Sequence, residues 1–393
     1  MTTRVGIVGG SLAGLTAALV LRDLGLDVTV YERSSRELEQ RGAGIGFLPA
    51  ASRYLGERAG LDLDAISVST DHIRYLRRDG SVVHDEEHRY RFSSWNTVYR
   101  QLLACADRDR YRLGREVTGF AQDHDSVTVQ FADDTTVIVD LLVCADGVGS
   151  ASRTALLPDA RPTYAGYVAW RGMVPEAQLA PATATALGDA ITYYVYANSH
   201  ILVYPIPGHD GSVRAGERLV NFVWYRNYVS GHGDLDDLLL DAHGVRHDLS
   251  LPPGSVRADH VAELRATAAA RLPAMMSDVI QATEQPFLQV IFDVDVPRMA
   301  FGRVCLLGDA AFVARPHAAA GSAKAAADAW ALADALTIHP DPVAALDAWE
   351  PGQLALGRSL LERTRRIGRH SQVDDDWDPS DPELIFGLFE PGR

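Results

Sequence analysis

Residues 5–19, VGIVGGSLAGLTAAL, carry two overlapping motifs that predict different proteins. Read as Gly9-x-Ser11-x-x-Gly14 behind a short apolar strand, the stretch is a dinucleotide-binding turn with its middle glycine replaced. Read as Gly9-x-Ser11-x-Ala13, it is a loosened hydrolase nucleophile elbow. An elbow needs its serine on a strained turn deep in a sheet, with an oxyanion loop, an acid and a histidine in chain order. Here the serine follows the first strand, and no HGGG-type loop precedes it. The flanks favour the dinucleotide reading. RVGIV reads as a buried strand, SLAGLTAALVLRDLGL as a helix with apolar residues at helical spacing, and DVTVYE as a second strand. Gly9 permits the tight turn, Gly14 lets helix and strand approach, and the helix N-terminus offers free N–H groups to a pyrophosphate. Glu32 closes the second strand, where a carboxylate can accept hydrogen bonds from a ribose.

At 393 residues the chain suggests about two domains of ~100–200 residues each. Its 47% apolar and 23% charged residues are those of a globular protein, which excludes disordered and fibrous classes. A net charge of −15 repels nucleic-acid phosphates and anionic membranes, so neither is an expected partner. Part of that charge sits in DDDWDPSDPEL, residues 374–384, which reads as a solvated acidic tail over 372–393. Three scattered cysteines form no disulfide framework and no Cys-x-x-Cys pair, which fits a reducing cytoplasm. No signal peptide is read at the N-terminus, and no apolar run approaches ~18 residues. His84/His88 and His243/His247 have the spacing of helical metal ligands, but no third ligand accompanies either pair, and no metal is expected.

Further along, RGAGIGFLP reads as a Gly-rich loop, AASRYLGERAGL as a helix, and HIRYLRRDGSVVHD as a hairpin turning at Asp79-Gly80. SSWNTVYRQLLACA returns to helix, with Ser93 or Ser94 as N-cap. From about 163 to 295 aromatic and β-branched residues dominate, predicting a mainly antiparallel sheet with helices near 235–242 and 259–281. The α/β pattern then resumes with GRVCLLGD, the Ala-rich helix GSAKAAADAWALADAL, and a long helix interrupted at Pro351-Gly352. The spacing therefore predicts a nucleotide-binding domain made of separated segments (1–70, 93–162 and 286–371) with a β-rich domain inserted (71–92 and 163–285).

Two distant motifs reinforce the opening one. CADGVGSASR, residues 144–153, puts Asp146 at the end of an apolar strand, and GRVCLLGDAAFVARPHAAAGSAKAAADA, residues 302–329, does the same for Asp309. Carboxylates at strand C-termini of an open α/β sheet stand at its ligand crevice. A helix opening near Gly321 aims its N–H groups and positive dipole at the same place.

Together, GGSLAG with Glu32, ADGVGSASR and GDAAFVARPHAAAG resemble the three fingerprints of FAD-dependent, single-component aromatic hydroxylases. Within that family YAGYVAWRG, YPIPG, RPHAAAG and the ending FGL are most similar to dihydroxypyridine-hydroxylating members. The resemblance implies an α/β fold: a Rossmann-like FAD-binding domain (GR2 type, segmented), an inserted β-rich substrate domain and a C-terminal helix. It implies FAD contacts from Gly9, Ser11, Gly14, Glu32, Arg33, Arg41, Gly44, Arg100, Asp146, Asp309, Pro316, Gly321 and Ser322. Asp146 belongs to the motif implicated in both FAD and NAD(P)H binding. The chain departs from the family pattern at Phe312, where histidine is usual, at Ala323, where asparagine is frequent, and in the turn Ala319-Ala320-Gly321.

The implied activity is monooxygenation: NADPH or NADH reduces FAD, O2 adds to give a flavin C4a-hydroperoxide, and an electron-rich aromatic or heteroaromatic ring takes one oxygen. The cofactor carries that chemistry while the protein binds, orients and excludes water. Substrate deprotonation would need a tyrosine, a histidine or a water relay within reach. Pro316, His317 and Tyr204 are the candidate catalytic residues, and Tyr204, Trp224, Tyr225 and His317 the candidate substrate contacts. Epoxidation or Baeyer–Villiger oxidation of a polyketide-type compound, and FAD binding without turnover, are the alternatives. The oligomeric state is left open, a homodimer included.

Overall fold

The computed structural model of the chain describes residues 2–39, 42–229 and 233–393. Around the opening stretch stands a six-stranded sheet in the order Ala300–Phe301, Val304–Leu306, Leu141–Cys144, Arg4–Val8, Asp27–Tyr31, Tyr111–Arg112. All its pairings are parallel except the first. Its central strands are apolar from Val5 to Val8 and from Leu141 to Cys144 because both faces are covered: Ile7 faces the helix Leu12–Asp23, while Gly6 and Tyr31 face Val139 and Phe131 of a separate small sheet. The chain goes one way from Arg4–Val8 to Asp27–Tyr31 and returns on its other side as Leu141–Cys144. That reversal opens a crevice at the carboxyl ends of the strands, where Val8 leads into Gly9 and Cys144 into Asp146.

A second, nine-stranded sheet runs Ser250–Leu251, Phe287–Asp293, Thr163–Pro175, Leu219–Asn227, Ser199–Ile206, Ala190–Tyr196, Val68–Leu76, Val82–Ser94, Gly44–Gly46. It is antiparallel except where Ala190–Tyr196 meets Val68–Leu76. Its outer face packs under the helices Ala258–Arg271 and Ala274–Ala282, burying Trp170 and Trp224. Its inner face carries Tyr167, Tyr204 and Tyr225 toward the first domain. A three-stranded sheet, Val117–Gln122, Val127–Phe131 and Thr136–Val139, completes the fold.

The structure differs from the sequence reading in several places. Gly44–Gly46, expected as loop, pairs with Phe92–Ser94, and Phe287–Asp293 pairs with Thr163–Pro175. The bounds 1–70 and 286–371 place both segments in the nucleotide-binding domain, although the antiparallel pattern over 163–295 takes in Phe287–Asp293; backbone pairing gives both to the other sheet. The helix Pro342–Arg369 continues through Pro351. Proline removes one N–H there, but Leu346 and Trp349 before it and Leu360 and Leu361 after it are buried. Glu350 Oε1 also accepts the N–H groups of Met299 and Ala300 at 2.7 Å, which holds the helix in line. His84 and His88 lie on a strand, and His243 and His247 lie in a turn segment outside any helix, so neither pair has helical geometry.

The acidic C-terminal stretch is not simply a solvated tail. Asp374–Asp376 are exposed, yet Leu384, Phe386 and Leu388 are buried. An apolar Ile-Phe-Gly-Leu run follows the acids, and hydrophobic burial of that run outweighs their preference for water.

Candidate active site

The Gly9 turn is shaped by close backbone approach. Gly9 has φ +99, and a Cβ on it would stand 2.5 Å from the Ala145 carbonyl oxygen. A Cβ on Gly14 would stand 1.9 Å from the Gly9 carbonyl oxygen. Gly10, the residue between the motif positions, also admits no side chain: Tyr111 donates its hydroxyl to the Gly10 carbonyl at 2.8 Å and would lie 2.3 Å from a Cβ. Sequence reasoning passed over Gly10 because its constraint comes from a strand a hundred residues away.

Glu32 is buried at the end of its strand, where it accepts the N–H of Gly10 at 2.8 Å and that of Ser34 at 2.8 Å. These bonds aim its carboxylate across the turn. A cleft of about 260 Å³ opens beside it, lined by Gly9, Ser11, Glu32, Arg33, Arg115 and Asp146 among others. The helix Leu12–Asp23 starts at this cleft with Ser11 as N-cap, but the Ser11 side chain makes no capping bond. The first N–H groups of the helix are therefore left for another acceptor. Asp146 instead braces the start of the helix Ala151–Leu156, whose N-cap is Ser150: it accepts from Ser150 Oγ at 2.6 Å and from the Ser152 N–H at 3.0 Å. Ser11 contacts neither a histidine nor an acid among the described residues, so nothing of a hydrolase triad is assembled.

A second cavity, about 200 Å³, lies between the inner face of the large sheet and the turn Gly308–Gly321. Asp309, exposed to this space, borders it together with Pro316, Gly321 and Ser322. The 18-residue helix Gly321–Ile338 opens onto it, again without a side-chain cap, and a Cβ on Gly321 would meet nothing within 4 Å. Gly44 and Gly46 form the facing edge. Asn221 Oδ1 accepts the Gly44 N–H at 3.0 Å, and a Cβ on Gly46 would meet Ala319 at 2.7 Å.

The sheet contributes Phe92, Ala169, Arg171, Leu202, Tyr204 and Tyr225 to the same cavity. Trp224, expected beside Tyr225, points the opposite way and donates its indole N–H to Ser199 Oγ at 3.0 Å. Successive strand residues alternate faces, so only one of the two can line the cavity. Arg171 was missed by the sequence reading, although a lone charge in the apolar run YVAWRGMV is itself a signal. It donates to the Gly44 carbonyl at 2.7 Å and to Gln289 at 3.0 Å, and its buried Nε–H has no acceptor. No carboxylate forms an ion pair with it among the described residues. Burial holds the Tyr204 and Tyr225 hydroxyls above the ordinary phenol range, with Arg171 pulling the other way on each.

His317 is turned away from this cavity. It is buried and its Nε2 meets the Tyr167 hydroxyl at 2.6 Å, while its Nδ1 has no partner. The His200 ring stands 5.4 Å from it, its Nδ1 3.1 Å from Gln372 Nε2. Burial pushes His200 down to about 3 and, with His200 and Arg315 beside it, puts His317 well below the ordinary imidazole range. Both rings are thus neutral in the folded chain. On unfolding, each takes up a proton once the pH is below about 6.5, so stability is present above that pH and is lost as the pH falls through it. The two together should cost about 3 kcal/mol between pH 6.5 and 5. Urea unfolding of the wild type, His200→Gln and His317→Gln across that range checks this; an unchanged pH slope in both variants would contradict it.

Arg100 faces a separate, larger cleft of about 690 Å³ and bonds Glu39 at 3.0 Å. Arg41 lies outside the described residues.

The architecture and the two uncapped helix N-termini at its crevices suit a bound dinucleotide, and the comparisons identify the class as flavin-dependent oxidoreductases. The FAD binding domain family matches residues 2–228, and a FAD binding domain-like family matches residues 164–293. The chain belongs to this FAD-binding family and is a FAD-dependent monooxygenase of the aromatic-hydroxylase kind, using NAD(P)H and O2. It is 38% identical to 2,6-dihydroxypyridine 3-monooxygenase of Paenarthrobacter nicotinovorans, over 98% of this chain and 96% of that protein. The solved structure of 2,6-dihydroxypyridine-3-hydroxylase from Arthrobacter nicotinovorans matches with a TM-score of 0.94 at 36% identity, covering 100% of this chain and 98% of that one. A 3-amino-4-hydroxybenzoate 2-monooxygenase of Streptomyces platensis is 30% identical over 95% of this chain and 89% of its own length. Among the described residues no helix is long and apolar enough to cross a membrane.

Proposed function

We propose that the chain hydroxylates a one-ring hydroxypyridine-type substrate, held in the cavity between the large sheet and the Gly321–Ile338 helix. The observation that carries this reading is that two long helices, starting at Ser11 and Gly321, each open onto a cleft with their first N–H groups uncapped. Such ends suit anionic or electron-poor groups. FAD has one at its pyrophosphate and another at the electron-poor end of its ring.

In this assignment Gly9, Ser11 and Gly14 give the pyrophosphate its close approach, while Glu32 takes the adenosine ribose and Arg33 flanks the adenine. Asp309 accepts from the ribityl hydroxyls. Gly44, Pro316, Gly321 and Ser322 border the flavin ring. When bound, FAD supplies the redox chemistry, accepting reducing equivalents from NAD(P)H and activating O2 for transfer of one oxygen atom. The protein's part is orientation and exclusion of water. The stacked pair Phe92 and Tyr204, with Tyr225, forms the aromatic wall against the guest ring, and the free N–H groups of Arg171 meet its ionised hydroxyl. An anionic ring is the more electron-rich one, so pairing it with Arg171 favours the reactive form and keeps it in place. The similarity to enzymes named for dihydroxypyridine and aminohydroxybenzoate supports this choice of substrate.

The test is to purify the protein with FAD and follow NAD(P)H consumption on adding hydroxypyridines and hydroxybenzoates. A product heavier by one oxygen atom supports the reading; hydrogen peroxide as the sole product would overturn it. Arg171→Met should raise the KM for the ionised ring roughly tenfold or more, the usual loss for a charge-assisted hydrogen bond, with FAD content retained. A variant that loses FAD and keeps its KM would assign Arg171 to the cofactor instead.

A further inference from the structure

The C-terminal segment supplies one wall of the ring cavity. Phe386 lines it and is 4% exposed, with its ring 4.7 Å from Tyr90 and 6.3 Å, edge-on, from Phe92. Phe92 in turn stacks on Tyr204 at 4.2 Å. The segment is pinned where it passes the cavity. Phe386 N–H donates to the Tyr90 hydroxyl at 2.8 Å, and Gly387 N–H to the carbonyl of Ala318, in the turn that also carries Pro316, at 3.3 Å. Arg363 is buried, and among the described residues no carboxylate forms an ion pair with it. Its guanidinium donates to the carbonyls of Glu383 (2.8 and 3.2 Å), Gly387 (3.0 Å) and Ile385. A buried cation given over to main-chain carbonyls costs desolvation, and what it secures is the path of this strap.

We propose that Phe386 is a specificity-determining residue: positioned by Arg363, it limits the guest to a single ring. This rests on the substrate reading above and adds a size limit to it. The flavin ring assigned above shares this cavity, so the guest is left the space between that ring and the wall built by Phe92, Tyr204 and Phe386. Phe386 narrows that space from the C-terminal side, where a second fused ring would have to extend.

The test compares 2,6-dihydroxypyridine with a dihydroxyquinoline as one-ring and two-ring probes on the FAD-loaded enzyme. Perturbation of the flavin absorbance reads binding, and product mass reads turnover. Phe386→Ala should shift the ratio of the two dissociation constants toward the two-ring probe by at least about tenfold, with FAD content unchanged. Arg363→Met should shift it the same way and speed proteolysis of the C-terminal segment. Phe386→Trp should weaken the one-ring probe, and Phe386→Leu provides a milder change if the alanine variant fails to fold. An unchanged ratio in whichever of the alanine and leucine variants folds and retains FAD overturns the size limit alone. If the wild type binds neither these probes nor any other hydroxylated ring, the substrate reading falls and the size limit with it.

Discussion

Gly14→Ala should yield a protein that purifies without FAD and is less stable by about 3 kcal/mol or more, at the upper end of overpacking costs. The added methyl would stand 1.9 Å from the Gly9 carbonyl oxygen, which is backbone and has no rotamer to move into. Gly9 itself cannot retreat, because on its far side it is already packed against Ala145. The helix cannot retreat either, since Leu12, Leu15, Leu19 and Leu21 are buried in the core of the first domain. Any shift that makes room widens the turn and moves the uncapped N–H groups away from the place proposed for the pyrophosphate. Gly352→Ala is the control, because nothing lies within 4 Å of that position. Flavin absorbance of the purified variants and their urea midpoints decide the matter. A yellow Gly14→Ala protein with wild-type FAD affinity would show that the strand and helix do not meet as described.

A loss of similar size is expected from Lys324→Met. Lys324 and Asp328 are 2% and 0% exposed, and their side chains meet at 2.7 Å beneath the Asp309 turn. Asp328 Oδ2 also accepts the Gly308 N–H at 2.9 Å, while its Oδ1 has no partner. Removing the ammonium leaves a buried carboxylate uncompensated, which typically costs about 3–5 kcal/mol. Burial already raises the Asp328 pKa, with Lys324 opposing it, so the variant raises it further. A carboxyl whose folded pKa lies above its unfolded one loses stability as the pH rises through the folded value. The deficit of Lys324→Met should therefore shrink on acidification. Lys324→Met with Asp328→Asn should recover most of the loss at neutral pH, since the amide keeps an acceptor for Gly308 without the charge. Equal urea midpoints for wild type and Lys324→Met at pH 8 would contradict this account.

Much of this protein was legible in its sequence because the deciding contacts are local. The turn from Gly9 to Gly14, the carboxylate at Glu32 and the strand ends at Asp146 and Asp309 lie within short runs whose spacing obeys strand and helix periods. An N-cap at Ser93 or Ser94 was readable for the same reason, and the structure selects Ser94, its hydroxyl accepting the Thr97 N–H at 2.9 Å. The substrate side was less so. Periodicity shows that Trp224 and Tyr225 face opposite ways, but not which of those faces the helices Ala258–Arg271 and Ala274–Ala282 will cover.

What the sequence by itself determined is the nucleotide-binding βαβ unit and the class of chemistry that follows from it, since glycine spacing, helix starts and strand-end acids are short-range properties. Tertiary structure alone decided what lines the cavity: Arg171 on the inner face, His317 withdrawn toward Tyr167, and Phe386 carried back from an acidic terminus into its wall. Those placements depend on contacts between residues far apart in the chain, where burial and backbone pairing outweigh what any local pattern prefers.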